Sequence, residues 1–283
     1  MADLPQPIVS PEELAPILDR VRVLDARSGP RAAEAYATSH LRGAVHVELD
    51  RDLAAPAPHP ERGGRHPLPD RADFAARLGA WGITRGVAVV VYDDQGGANA
   101  AARVWWMLRS FGHENVSVLD GGFQAAIAAG LPADAAAPSV PSAPPYPASE
   151  WQWPVADIDE VDRARREPSR CVLDVRAAFR FRGESEPFDP VAGHIPGAAN
   201  VPYAENLDVR GRFKSAAELR ALYEKLLAGL APADLVVHCG SGVTACHTLL
   251  ALERAGLRGA ALYVGSWSEW CRTDRDIGRT DDK

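Results

Sequence analysis

Cys239 ends the apolar run Leu235-Val236-Val237-His238 and is followed by Gly240-Ser241-Gly242-Val243-Thr244-Ala245-Cys246-His247. The pattern predicts a strand, a short glycine-rich loop and a helix, with a thiol at the strand tip. Amides of a tight loop turn inward and form a nest for negative charge, and the helix that follows adds the positive end of its dipole. A cysteine held there is expected to have a lowered pKa and to be a thiolate, hence a nucleophile, at neutral pH. The plainer reading of the same residue is a buried structural cysteine at a strand end.

The elements that must hold this loop are written twice. Val21–Arg27 matches Cys171–Arg176, His40–Ala44 matches His194–Ala198, Val89–Asp93 matches Leu235–Cys239, and Gly121–Phe123 matches Gly265–Trp267. Four matches in one order at nearly constant spacing imply a duplicated domain. In the first half, strands are expected near 21–25, 45–48, 87–92 and 116–119, and helices near 11–19, 31–37, 70–80, 98–111 and 122–130. Ser10 with Glu13, and Pro11 between them, form a capping box at the first helix. The second half is expected to repeat this, with strands near 171–174, 199–201, 235–238 and 261–263 and helices near 156–166, 215–228 and 243–255. Short apolar runs alternating with helical stretches indicate α/β domains with mainly parallel sheets. Residues 1–130 and 151–283 are the expected domains. Residues 131–150, with six prolines, read as an extended, semi-rigid linker. The polar end, 273–283, is expected to be loose.

The chain of 283 residues has room for two such domains, and its net charge of −7 argues against nucleic acid as a partner. No apolar run approaches the ~20 residues needed to span a bilayer. The start lacks the basic and apolar regions of a secretory signal, so a cytoplasmic protein is the default expectation. All four cysteines, Cys171, Cys239, Cys246 and Cys271, lie in the second half without a Cys-x-x-Cys pair. Free thiols are therefore expected, and no metal or other cofactor.

The string Cys239-Gly240-Ser241-Gly242-Val243-Thr244-Ala245 resembles the active-site loop of two-domain rhodanese-type sulfurtransferases, nearest their 3-mercaptopyruvate branch. The resemblance extends over nearly the whole chain. It implies tandem duplicated rhodanese-like domains, each a mainly parallel sheet with helices on both faces, and a catalytic site between them. Asp93 stands where the second half has Cys239, and a carboxylate cannot accept sulfur, so the first domain resembles the family's inactive one. Asp25 with Arg27 and Asp174 with Arg176 look like the family's structural ion pairs.

The implied reaction has two steps. Cys239 takes a sulfur atom from a small-molecule donor and holds it as a persulfide; a thiol, a thioredoxin-like protein or cyanide then accepts it. Amides from Gly240 through Thr244, including those of Ser241, Gly242 and Val243, would cradle the negative persulfide. By position, Arg180, helped by Arg182, matches the family's substrate arginine, whose fork suits a carboxylate; the plain alternative is an exposed arginine making surface pairs. The branch usually carries a second arginine after Glu-Pro, but this chain reads Glu186-Pro187-Phe188, and Phe188 cannot bind a carboxylate. Asp52, His66 and Ser241 match residues proposed to relay a proton in that branch, a task suited to histidine. A solvated loop histidine is the other reading of His66. Cys246, Cys171 and Cys271 are expected to be packing residues.

Rival functions remain. A thiosulfate sulfurtransferase typically has cations after the cysteine for the sulfonate, where this chain has neutral Gly240 and Ser241; an enzyme using both donors is a related option. A phosphatase or arsenate reductase of the Cys-x5-Arg type needs an arginine where Ala245 stands. A non-catalytic sulfur-relay module is the last alternative.

Overall fold

A computed structural model describes residues 4, 6–98, 100–147 and 150–279 of the chain. Residues 1–3, 5, 99, 148–149 and 280–283, which include parts of the expected fourth helix (98–111), the linker and the tail, lie outside the described residues.

The chain forms two compact units, and each has exchanged a stretch of sequence. The first consists of 1–54, 69–152 and 209–213; the second of 55–68, 153–208 and 214–283. Each holds a five-stranded sheet in which all pairings are parallel. In the first unit the strand order is Ile8–Val9, Val116–Leu119, Val89–Tyr92, Arg22–Asp25, Val45–His46. In the second, the order Val155–Ala156, Ala261–Tyr263, Leu235–His238, Cys171–Asp174, Ala199–Asn200 is the same arrangement again. Central strands such as Val89–Tyr92 and Leu235–His238 are buried at every position, as their continuous apolar runs require of strands covered on both faces. Trp267 and Trp270 sit fully buried in the core of the second unit, packed with Ile195, Val236 and Tyr263.

The main strands and long helices lie where the periodicity predicts them, and the exceptions have local causes. The first helix stays α only over Pro11–Leu14 and continues as a 3-10 turn to Arg20. Pro16 has no N–H to give to the α ladder. The expected helix from 156 begins at Ile158, because Asp157 caps it by accepting from the Glu160 amide at 2.7 Å, while Val155–Ala156 is drawn into the sheet edge. The edge strands Ile8–Val9 and Val155–Ala156 are two residues long, too short to show a period. Residues 273–279 are not loose: Gly278 exchanges backbone hydrogen bonds with His194, and Ile277 packs on the core.

The proline-rich stretch after Leu131 is extended and bound to the first unit. Ala133–Asp134 pairs antiparallel with His40–Leu41, and the amides of Ala143 and Tyr146 donate to Gly79 and Ala75. Gly79 is required there, since a Cβ would meet the carbonyl oxygens of Ala143 and Pro144 at 2.6 Å.

Candidate active site

The loop of the first unit shows what this turn does to an anion. Asp93 follows the central Val89–Tyr92 strand and folds its carboxylate back into its own loop. Oδ1 accepts from the amides of Gln95 (2.9 Å) and Gly97 (2.8 Å), and Oδ2 from Ala101 (3.2 Å) at the start of the Ala101–Ser110 helix. The strand–loop–helix turn is thus an anion nest, filled here by the chain itself.

Cys239 occupies the matching place in the second unit. It leaves the C-terminal end of Leu235–His238, which lies between Cys171–Asp174 and Ala261–Tyr263, and the Ala245–Arg254 helix begins six residues on. The thiol-bearing residue is almost wholly buried. Its backbone is pinned on both sides: Cys239 N–H donates to Ser266 Oγ at 3.2 Å, and its carbonyl accepts from Trp267 at 3.0 Å. Ser266 holds φ at +53°, a conformation that favours glycine, and Gly122 occupies the matching position of the first unit at +61°. The Ser266 hydroxyl, which also donates to the Tyr263 carbonyl at 2.9 Å, is the group that glycine could not supply. Gly242, at φ +73°, lets the loop pass the Val264 carbonyl, which a Cβ would approach to 2.5 Å.

The loop is completed by the stretch 55–68 from the first half of the sequence. Gly63 N–H donates to Glu269 at 2.8 Å, and Gly64 lies against the Gly265 backbone so closely that no Cβ fits. This seats His66 with Nδ1 2.8 Å from Ser241 Oγ, in the loop directly after Cys239. Arg65, beside it, pairs with Asp189, which Arg272 also contacts at 2.8 Å. Burial alone would raise the Asp189 carboxyl, but the two guanidiniums outweigh it and hold it below the usual carboxylate range.

Arg180 comes from the short Ala178–Phe181 helix. Two of its nitrogens bond to Glu186, at 3.0 and 2.6 Å, and its guanidinium lies 5.0 Å from the Phe188 ring. A Cβ on Gly240 would sit 3.3 Å from Arg180 NH2 and 3.6 Å from Arg65 NH2, so two guanidiniums flank the residue after Cys239. Arg176 is a buried partner of Asp174 and Glu186 and also hydrogen-bonds the Gly193 carbonyl. Burial would lower its pKa, but the charges of Asp174, Glu186 and Cys239 together raise it. Asp25 and Arg27 form the equivalent buried pair in the first unit.

The remaining expected site residues fall differently. Arg182 turns to Glu184 at 2.6 Å on the surface. Asp52 lies in the first unit, where its buried carboxylate accepts from Arg51, Arg77 and the Glu48 amide. Val243 is buried and Thr244 leads into the helix. The other thiols are packing groups in their geometry: Cys246 is fully buried and bonds to the Gly242 carbonyl, while burial pushes Cys171 up and Cys271 to about 11. Among the described residues no cluster of three or more His, Cys, Asp or Glu could hold a metal ion.

A family model described as the rhodanese-like domain matches residues 10–129 and again 157–273. The chain belongs to the rhodanese family. A Pseudomonas aeruginosa protein named "Probable 3-mercaptopyruvate sulfurtransferase" is 44% identical over 250 residues, covering 86% of this chain and 85% of that one. A Gallus gallus protein named thiosulfate sulfurtransferase is 35% identical over 257 residues, 88% of this chain and 86% of that one. The solved 3-mercaptopyruvate sulfurtransferase of Leishmania major superposes with a TM-score of 0.83 at 33% identity, covering 95% of this chain and 75% of that one. This rhodanese is a sulfurtransferase. No described helix is long and apolar enough to cross a membrane.

Sequence reasoning passed over Arg65, Ser266, Glu186 and Asp189. Arg65 adjoins His66, and a cation next to a candidate acid–base residue was a usable signal. The others act through contacts that span many residues, and no local pattern marks them.

Proposed function

We propose that this sulfurtransferase moves the sulfur of 3-mercaptopyruvate through a persulfide on Cys239 to a thiol, a thioredoxin-like protein or cyanide. The observation that carries the reading is the Cys239 loop with two guanidiniums beside Gly240 and His66 on Ser241. Relatives carrying that donor in their names support it.

The Cys239 thiolate attacks the donor's sulfur, a new S–S bond forms and the donor's C–S bond breaks. The electron pair of that bond goes to carbon, giving the enolate of pyruvate. The enolate carbon takes up one proton, matching the one the donor thiol gives up, and Cys239 is left as a persulfide anion. The His66–Ser241 pair, at 2.8 Å, is the proton carrier. The persulfide lies in the loop nest, as the Asp93 carboxylate lies in its own loop. An acceptor thiolate attacks the outer sulfur, leaves as a persulfide and restores the Cys239 thiolate; cyanide leaves as thiocyanate. Arg180 holds the donor carboxylate and Arg182 adds a surface charge nearby in sequence. Residues 1–130 serve as the inactive domain, 131–150 as the linker and 151–283 as the catalytic domain, to which the first half lends Arg65 and His66. A cytoplasmic setting suits an enzyme whose thiols must stay reduced.

Thiosulfate is the second reading. Gly240 and Ser241 supply no cation, but Arg65 and Arg180 bring two to the same place, which suits a sulfonate as well as a carboxylate. The deciding experiment compares both donors side by side, with mass analysis of the Cys239 peptide. Mercaptopyruvate should give the higher kcat/KM and add one sulfur to Cys239, and Cys239→Ser should abolish transfer with the fold intact. Preference for thiosulfate would reverse the donor, and sulfur on Cys171 or Cys271 would remove the nucleophile.

A further inference from the structure

We infer that the first unit carries a binding site for a small amino-carboxylate, built on Arg27 and Arg31, where the matching arginines of the second unit are closed by Glu186. Asp25, Arg27 and Arg31 stand at the spacing of Asp174, Arg176 and Arg180. In the second unit Glu186 joins the two arginines: it accepts from Arg176 Nη1 at 3.0 Å and from Arg180 Nε and Nη2 at 3.0 and 2.6 Å. Arg27 keeps the rest of that arrangement. Its guanidinium grips Asp25, and its Nη2 donates to the Ser39 carbonyl at 2.7 Å, as Arg176 does to Gly193. It lies 4.4 Å from the Phe123 ring centre, as Arg176 lies 4.6 Å from that of Trp267. The difference is at Nη1. Arg27 is only 5% exposed, yet its Nη1 has no partner among the described residues and stays within reach of solvent. Arg31, which is exposed, has no ion pair among them either. The cause is a shorter chain: Arg27 and His40 are 13 positions apart, Arg176 and His194 are 18. The loop that carries Glu186 is missing, and the helix Ala32–Thr38 stands in its place.

What remains is a cavity of about 550 Å³ lined by Arg27, Arg31, Glu34, Thr38, Asp94 and Phe123 among others. A buried donor without a partner is satisfied by an acceptor that enters the cavity, and a carboxylate is the group that suits a guanidinium fork. Glu34 and Asp94 line the same cavity without bonding either guanidinium. A plain anion meets their repulsion, whereas a carboxylate that also carries an ammonium group finds opposite charge at both ends. The probe is 4-aminobutyrate, which has the carboxylate and methylene spacing of a glutamate side chain with an ammonium at the far end. Titrated into the full chain and followed by amide proton and nitrogen shifts, it should give saturable changes at Gly29, Arg31, Thr38 and Asp94. Butyrate, without the ammonium, should bind about threefold or more weakly, and butylamine, without the carboxylate, should give no saturable change. Arg31→Ala alters an exposed residue and leaves the core intact; it should weaken 4-aminobutyrate about tenfold or more. Arg31→Lys keeps the charge and loses the fork, and should lie between. Arg180→Ala, in the second unit, should leave these shifts as they are in wild type. Absence of saturable shifts at the four residues, or equal affinity in wild type and Arg31→Ala, would overturn the site. Butyrate binding as tightly as 4-aminobutyrate would overturn the amino-carboxylate as its ligand.

Discussion

His66 and Asp52 share a sequence neighbourhood and a proposed role in proton transfer, but their surroundings differ. His66 is partly exposed, with Nδ1 on Ser241. Asp52 is buried and carries ion pairs to Arg51 and Arg77. The two substitutions should therefore separate. His66→Ala should lower kcat with mercaptopyruvate by about 10²-fold, flatten one limb of the kcat–pH profile and leave the melting temperature in place. Asp52→Asn should lower stability by about 1–2 kcal/mol, because it strips two partly exposed guanidiniums of their common partner. Any role of Asp52 in proton relay appears as a further fall in kcat of the folded variant, measured well below its melting point. A His66→Ala enzyme with full turnover would remove the proton-carrier assignment. Ser266 belongs at this scale too. It accepts a strained backbone to place a hydroxyl on the Cys239 amide, where the first unit, with Asp93 in place of the cysteine, has glycine.

Among the elements, the stretch 55–68 decides the most. It contributes no strand and no helix, yet it brings Arg65 and His66 to the loop, anchored through Gly63 on Glu269 and Gly64 on Gly265. Gly64 has φ +77° and no room for a Cβ against the Gly265 backbone, so Gly64→Ala is strained on both counts. The loop should lift from Gly265 and carry His66 away from Ser241. Activity should fall at least tenfold while the melting temperature shifts by only a few degrees, since the change leaves both sheets untouched. Activity near wild type in Gly64→Ala would show that the anchor does not position these side chains. The regular elements were legible because burial on both strand faces leaves continuous apolar runs, as at Val89–Tyr92 and Leu235–His238. The anchor was not, because a glycine chosen for a close approach looks in sequence like any loop glycine.

For the whole molecule, duplication produced two sheets of one topology, but the compact units do not follow the halves of the sequence. Residues 55–68 fold with the second unit and 209–213 with the first, where the Phe213 amide donates to Asp120 at 2.9 Å. A fragment spanning 151–283 holds Cys239, Ser241 and Arg180 but lacks Arg65 and His66. It should retain less than about a hundredth of full-length turnover, the loss expected when the proposed proton carrier His66 and a cation beside Gly240 are removed together. Full activity of this fragment, measured with mercaptopyruvate and cyanide, would show that the first half lends nothing to the chemistry.

The order of residues alone determined the repeated strand–loop–helix pattern, the cysteine at the strand tip of the second copy, proposed as the nucleophile, and the carboxylate that stands in its place in the first. These are local: a strand, its loop and the next helix lie within a dozen residues, and their side chains announce their roles by type. Only the tertiary structure decided which cations lie beside the loop. Arg65 reaches Gly240 across more than 170 residues of chain, and Phe188, unable to bind an anion itself, becomes the surface over which Arg65 and Arg180 lie. Arg182, two residues from Arg180, is turned to Glu184 instead. Neighbours in sequence diverge on a helical turn, while distant residues converge where backbone and ion pairs fix them, and that convergence has no local signature for a sequence to carry.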